Sequence, residues 1–158
     1  MAEIRKQTKP DAVVLLGDYV YEVDGDLSKD KAKNAIKGVI ESLYDATNGV
    51  TSIWLDGNHD YYTPRNTEYR LTDGEHYALI GANNSEDVEV DADNLTRNYG
   101  YVDFDKQRIR LIYLNTTDIS GGVISENHIT NTQGQWLINT LLDVNSKSGA
   151  EKWGVVIC

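Results

Sequence analysis

Cysteine occurs once, at Cys158, and proline only twice in a chain of 158 residues. A single thiol excludes an intramolecular disulfide framework and a zinc site built from cysteines alone, and it fits a reducing compartment. Long apolar runs are missing as well. Nothing approaches the roughly 18 residues of a membrane span, and the opening MAEIRKQTKP has no apolar core of the signal-peptide kind. These absences point to a cytoplasmic protein with no membrane partner. Positive charge is also scarce, with 15 Lys and Arg against 25 Asp and Glu and a formal net charge of -10. Binding to a phosphate backbone would start from repulsion, so direct nucleic-acid binding is disfavoured and any phosphate chemistry needs local cations.

What is present is a globular pattern. Hydrophobic residues make up 40% of the chain, enough to bury a core, and no repeat, low-complexity tract or Pro/Gly/Ser linker divides it. Residues 1–158 therefore read as one domain. Ala12 to Leu16 (AVVLL) is a short continuous apolar run ending at Gly17-Asp18, as expected of a strand buried on both faces. From Ser28, a candidate N-cap, the apolar positions Ala32, Ala35, Ile36, Val39, Ile40, Leu43 and Tyr44 recur in steps of three and four, which predicts an amphipathic helix. Asn48-Gly49 stops it, and Val50 to Leu55 (VTSIWL) predicts a second strand ending at Asp56-Gly57. The class is α/β, opening with a βαβ unit.

Residues 61–97 are polar and Tyr-rich with weak periodicity, and read as loops with a short helix at most. Asn98 to Phe104 and Arg108 to Asn115 alternate on either side of Asp105-Lys106-Gln107, the pattern of a β-hairpin. Glycines at 121 and 122 interrupt, Thr132 is a candidate cap for a helix carrying Trp136, Leu137, Leu141 and Val144, and WGVVIC (Trp153 to Cys158) reads as a final buried-type strand. Ile4 to Thr8 reads as the tail of a helix. The acidic run Glu86 to Asp93 reads as solvated surface, and Asp24-Gly25-Asp26 lacks the spacing of a calcium loop. Three N-x-S/T triplets, at Asn83, Asn94 and Asn115, read as ordinary polar positions in a chain without a secretory signal.

The two strands of a βαβ unit are parallel, so their C-terminal ends lie on the same side, where ligands bind in open α/β sheets. Gly17-Asp18 ends the first, and Gly57-Asn58-His59-Asp60 ends the second, 40 residues on. A carboxylate, an amide oxygen and an imidazole thus converge at neighbouring strand ends. That set suits a divalent cation facing a phosphate: Asp18 and Asn58 offer hard oxygens, and His59 offers a proton or a hydrogen bond. A lone Gly-Asp is an ordinary turn; the pair of motifs at matched strand ends is the signal. A nucleotide-binding Rossmann domain fits poorly, because the first strand runs into GDYVYE and not into G-x-G-x-x-G.

With PDAVVLLGDYVYE (Pro10 to Glu22), WLDGNHDYY (Trp54 to Tyr62), NYGYVDFDKQRIRLIYLNTTD (Asn98 to Asp118) and TQGQWLINTLL (Thr132 to Leu142), the chain resembles the calcineurin-like metallophosphoesterases, bacterial or phage-type members above all. The resemblance implies two packed sheets flanked by helices, and two divalent ions at the strand ends that activate a water against a phosphomonoester or phosphodiester. It implies that Asp18 bridges the ions, that Asn58 ligates the second, that His59 contacts the phosphoryl group or protonates the leaving oxygen, and that Asp60 orients His59 from behind.

The family's opening Asp-x-His motif and its closing histidine motifs have no counterpart here. His76 and His128 lie at the wrong places in the order and read as surface or packing residues. Both ends accordingly read as cut, making the chain a partial domain. The two ions, drawn from Mn, Fe, Zn, Ni or Mg, are then expected in a complete parent, with weak or no binding by this chain. Self-association through exposed strand edges follows as an expectation. The alternative is a non-catalytic structural or interaction module that keeps the fold without a complete metal site.

Overall fold

The computed structural model describes residues 9–20, 28–60, 71–90, 98–117, 129–149 and 151–158. Strand β1 (Ala12–Leu15) leads to helix α1 (Lys29–Thr47) and back to β2 (Thr51–Trp54), which pairs in parallel with β1. The expected βαβ unit is present. Ser28 occupies the N-cap position with extended backbone, although its side chain makes no cap bond. Ala32, Ile36 and Ile40 are buried along one stripe of α1, as their spacing requires.

Beyond β2 come a short helix α2 (Asp73–Leu79), a 3-10 turn (Gly81–Asn83) and a two-residue strand β3 (Glu89–Val90). Thr72 and Glu75 close a reciprocal capping box at the start of α2. Then follow β4 (Gly100–Phe104), β5 (Ile109–Tyr113), helix α3 (Asn131–Ser148) and β6 (Gly154–Ile157). The second sheet has the order β3-β4-β5-β6, antiparallel except for the parallel β5-β6 pair. The β4-β5 hairpin turns through Asp105 to Arg108, as the alternation predicts.

Alternation along β2 and β4 builds the layers. Trp54 packs with Ile36, Ile40, Leu71 and Ile80 on the helical side. Ile53 and Leu55 face the other way and meet Val102 and Tyr113 of the four-stranded sheet. The opposite face of that sheet carries Arg110, which reaches Thr140 and Asp143 of α3. Two sheets thus stack face to face between helices, a mixed α/β architecture of the kind that the resemblance implies.

The second edge of β2 is closed by side chains. The Trp54 N–H donates to Asn84 Oδ1 at 2.6 Å, Asn98 Nδ2 donates to the Trp54 carbonyl at 2.7 Å, and the Ser52 N–H donates to Ser85 Oγ at 2.8 Å. These polar residues let β2 stay buried at an edge where no further strand pairs with it among the described residues.

Four details differ from expectation. Strand β1 is half-buried and Leu16 is exposed, because β1 pairs with β2 alone among the described residues. Strand β6 is exposed over its whole length despite its apolar sequence, since it is the outer strand of its sheet among the described residues. The cap of α3 is Thr130, whose side chain accepts the Gln133 N–H, two residues before the expected Thr132. Part of the acidic run, Glu89-Val90, is pinned to Tyr101 and Gly100 as β3. The expectations for Ile4 to Thr8, Asp24 to Asp26, Asn94, Gly121, Gly122 and His128 lie outside the described residues.

Candidate active site at the strand ends

Strands β1 and β2 run in register, Leu15 beside Trp54, so their C-terminal loops emerge together. The contact between the loops is backbone against backbone. Gly17 has φ +83°, and a Cβ there would lie 2.0 Å from the Gly57 nitrogen; a Cβ on Gly57 would lie 2.1 Å from Asp18 Oδ1. No side chain fits at either position, which is why each motif begins with glycine. Asp18 itself has φ +54°, a left-handed conformation that aspartate tolerates better than most residues.

The structure brings together the predicted residues. Asp18 and Asn58 are exposed, His59 is half-buried, and Asp60 is fully buried. The His59 N–H donates to Asp18 Oδ1 at 3.1 Å, tying the Gly-Asp loop to the Gly-Asn-His-Asp loop. Asp60 makes the larger connection. Its Oδ2 accepts the N–H of Asp18 at 2.8 Å and of Gly57 at 2.9 Å, and its Oδ1 accepts those of Tyr19 at 2.7 Å and Val20 at 3.3 Å. Burial pushes the Asp60 carboxyl up to about 6, against the downward pull of these four amides. Orientation of His59 was the role implied for Asp60; the contacts described for its carboxylate are with backbone.

Three further residues back the site, none of them a site candidate from the sequence. Asp56, buried at the end of β2, accepts from Asn115 Nδ2 at 3.3 Å, and the Asn115 carbonyl accepts from Gln133 Nε2 at 2.7 Å. The ends of β2 and β5 and the first turn of α3 are joined by this chain. Polar residues directly after two apolar strands were the available signal. His76, by contrast, is a packing residue: it is buried in α2, and burial lowers its pKa to about 3.

Over residues 1–153 the chain matches the family model of the calcineurin-like phosphoesterases, and it belongs to that family. Members act on phosphoesters and generally hold two divalent metal ions. No individually curated protein matches the chain. Among the described residues there is no group of three or more His, Cys, Asp or Glu placed to hold a metal. Asp18 and Asn58 offer two ligating side chains, fewer than a two-metal site requires, so the described residues do not by themselves fit the pair of ions. Among those same residues no helix is long and apolar enough to cross a membrane.

Proposed function

We propose that this chain forms the strand-end part of a phosphoester hydrolase centre, in which Asp18 and Asn58 are two of the oxygen ligands and His59 contacts the phosphoryl group. The observation that carries this reading is the Asp18–His59 link at 3.1 Å. It ties the Asp18 carboxylate to the His59 backbone, which supports side chains of the two loops acting together on one phosphate. His59 then hydrogen-bonds a phosphoryl oxygen or gives a proton to the departing oxygen, while Asp60 and the two glycines hold the loops still. The substrate is a phosphomonoester or a phosphodiester.

Hydrolysis of an aryl phosphate and of its diester, with Mn or Zn supplied in large excess because the ions are held weakly, tests the proposal. Turnover is expected to disappear in Asp18→Asn, and to fall by roughly two to four powers of ten in His59→Gln, the usual worth of a positioned acid or phosphate contact. Full activity of His59→Gln on every leaving group would remove its assigned role. The alternative is a non-catalytic structural or interaction module that keeps the fold without a complete metal site. It predicts no hydrolysis with any divalent ion.

A further inference from the structure

We propose that Asp60 is a positioning residue, whose carboxylate fixes the Gly17-Asp18 turn against the Gly57-Asn58-His59 turn so that Asp18 and His59 address the same phosphoester. The assignment rests on the functional reading above and gives one of its residues a different task from holding the imidazole.

Partner count and sequence distance separate this role from an ordinary turn. A local turn needs only the contacts inside Gly57 to Asp60, where the Asp60 N–H donates to the Gly57 carbonyl at 3.2 Å and the Gly57 N–H donates back to the side chain at 2.9 Å. Three of the four bonds to the carboxylate instead come from 40 to 42 positions away, from Asp18, Tyr19 and Val20. An ionised carboxylate has about four acceptor sites, and four amides match them. Asp60 is also 0% exposed. A buried carboxylate is retained only where its bonds compensate the lost hydration, and here all of them converge on the two loops. Asp18 is held at φ +54° with its N–H on Asp60 Oδ2, so the same side chain sets the direction in which the Asp18 carboxylate leaves the backbone.

Nuclear magnetic resonance on the full protein tests the clamp directly. In the unsubstituted protein, long-range couplings are expected from the amides of Asp18, Tyr19 and Gly57 to the Asp60 carboxyl carbon. In Asp60→Ala, exchange of the Asp18, Tyr19, Val20 and Gly57 amides should accelerate about tenfold to a hundredfold while those of β4 and β5 keep their rates. Asp60→Asn has one acceptor oxygen in place of two, so it should protect one pair of amides and release the other. A residue that merely stabilises the fold would speed exchange everywhere. Missing couplings, a folded Asp60→Ala with all four amides unchanged, or a uniform rise across both sheets would each overturn the proposal. In kinetics, folded Asp60→Asn should lose kcat about tenfold or more, and undiminished kcat with released amides would also overturn it. Absence of hydrolysis in the unsubstituted protein would instead sink the functional reading, with the amide measurements still deciding whether the clamp exists.

Discussion

The Asp60 carboxylate accepts the backbone N–H of Tyr19 at 2.7 Å across 41 positions of sequence. Neither residue is a candidate ligand, yet the bond decides where the candidate ligands stand. A site assembled from two loops on parallel strands keeps its geometry only if something fixes one loop to the other, and here backbone N–H bonds to the Asp60 carboxylate do so.

The closeness of those loops makes their glycines intolerant. Gly57→Ala would set a Cβ 2.2 Å from the Asp18 nitrogen, a backbone atom that cannot swing aside. A loss of about 2–3 kcal/mol is expected, as for overpacking of a tight contact. Gly38→Ala is the control: it lies exposed within α1 with nothing within 4 Å of its new methyl, and it should gain about 0.5–1 kcal/mol. Urea melts of the two variants should move in opposite directions.

Arg110 is 0% exposed and bidentate to Asp103 at 2.6 and 2.7 Å, bonds Asp143 at 2.8 Å, and lies over the Tyr101 ring at 3.9 Å. Lys147 of α3 pairs with the same Asp103. Removing the guanidinium leaves a partly buried carboxylate with a single cation, so Arg110→Met should cost about 3 kcal/mol. Asp143→Asn, at a half-exposed position, should cost less than about 1 kcal/mol. Equal losses in denaturant titrations would show that the Asp143 bond carries as much of the cluster's stability as the Asp103 pair.

The neutral imidazole of His76 supplies a pH dependence. Burial lowers its pKa to about 3 from an ordinary 6.5, so the unfolded chain takes up the proton first as pH falls. Its contribution is fully present above about pH 6.5 and is lost on the way down to about 3, at up to about 1.4 kcal/mol per unit. Stability of the native protein minus that of His76→Leu, followed between pH 7 and pH 4, should fall by this slope. A flat difference would mean that His76 takes up its proton in the fold as readily as in the unfolded chain.

Asp18 and Asn58 give two hard-oxygen side chains, and two such ligands rarely fix a transition metal. Calorimetry of this chain with Mn or Zn should show no tight stoichiometric binding. Two ions held at submicromolar affinity would place the missing ligands in residues outside those described.

Val155, Val156 and Ile157 of β6 are 38%, 47% and 49% exposed on the outer strand of the sheet. Unpaired apolar edges are templates for pairing, and salt screens the charge of -10 beyond roughly 8–10 Å while backbone pairing acts at contact. A second copy of the chain is the expected occupant. Light scattering should show mass rising with concentration, and Val156→Lys should suppress the rise; a constant monomer mass would count against pairing.

The local elements of this protein were determined by its own sequence. Apolar spacing from Ala32 to Tyr44 dictates α1, the runs at 12–16 and 50–55 dictate β1 and β2, alternation around Asp105 to Gln107 dictates the hairpin, and Gly-Asp with Gly-Asn-His-Asp at two parallel strand ends marks the candidate site, because periodicity and turn chemistry are properties of neighbouring residues. Burial and partnership were decided by the tertiary structure. AVVLL and WGVVIC are equally apolar yet half-buried and exposed, since burial depends on what covers a strand and not on its composition. Arg110, read as one polar member of an alternating strand, is sealed under α3, and Asp60 turns from its neighbour His59 to amides about 40 residues away. A charged group settles where distant donors can replace its water, and no window of sequence contains those donors.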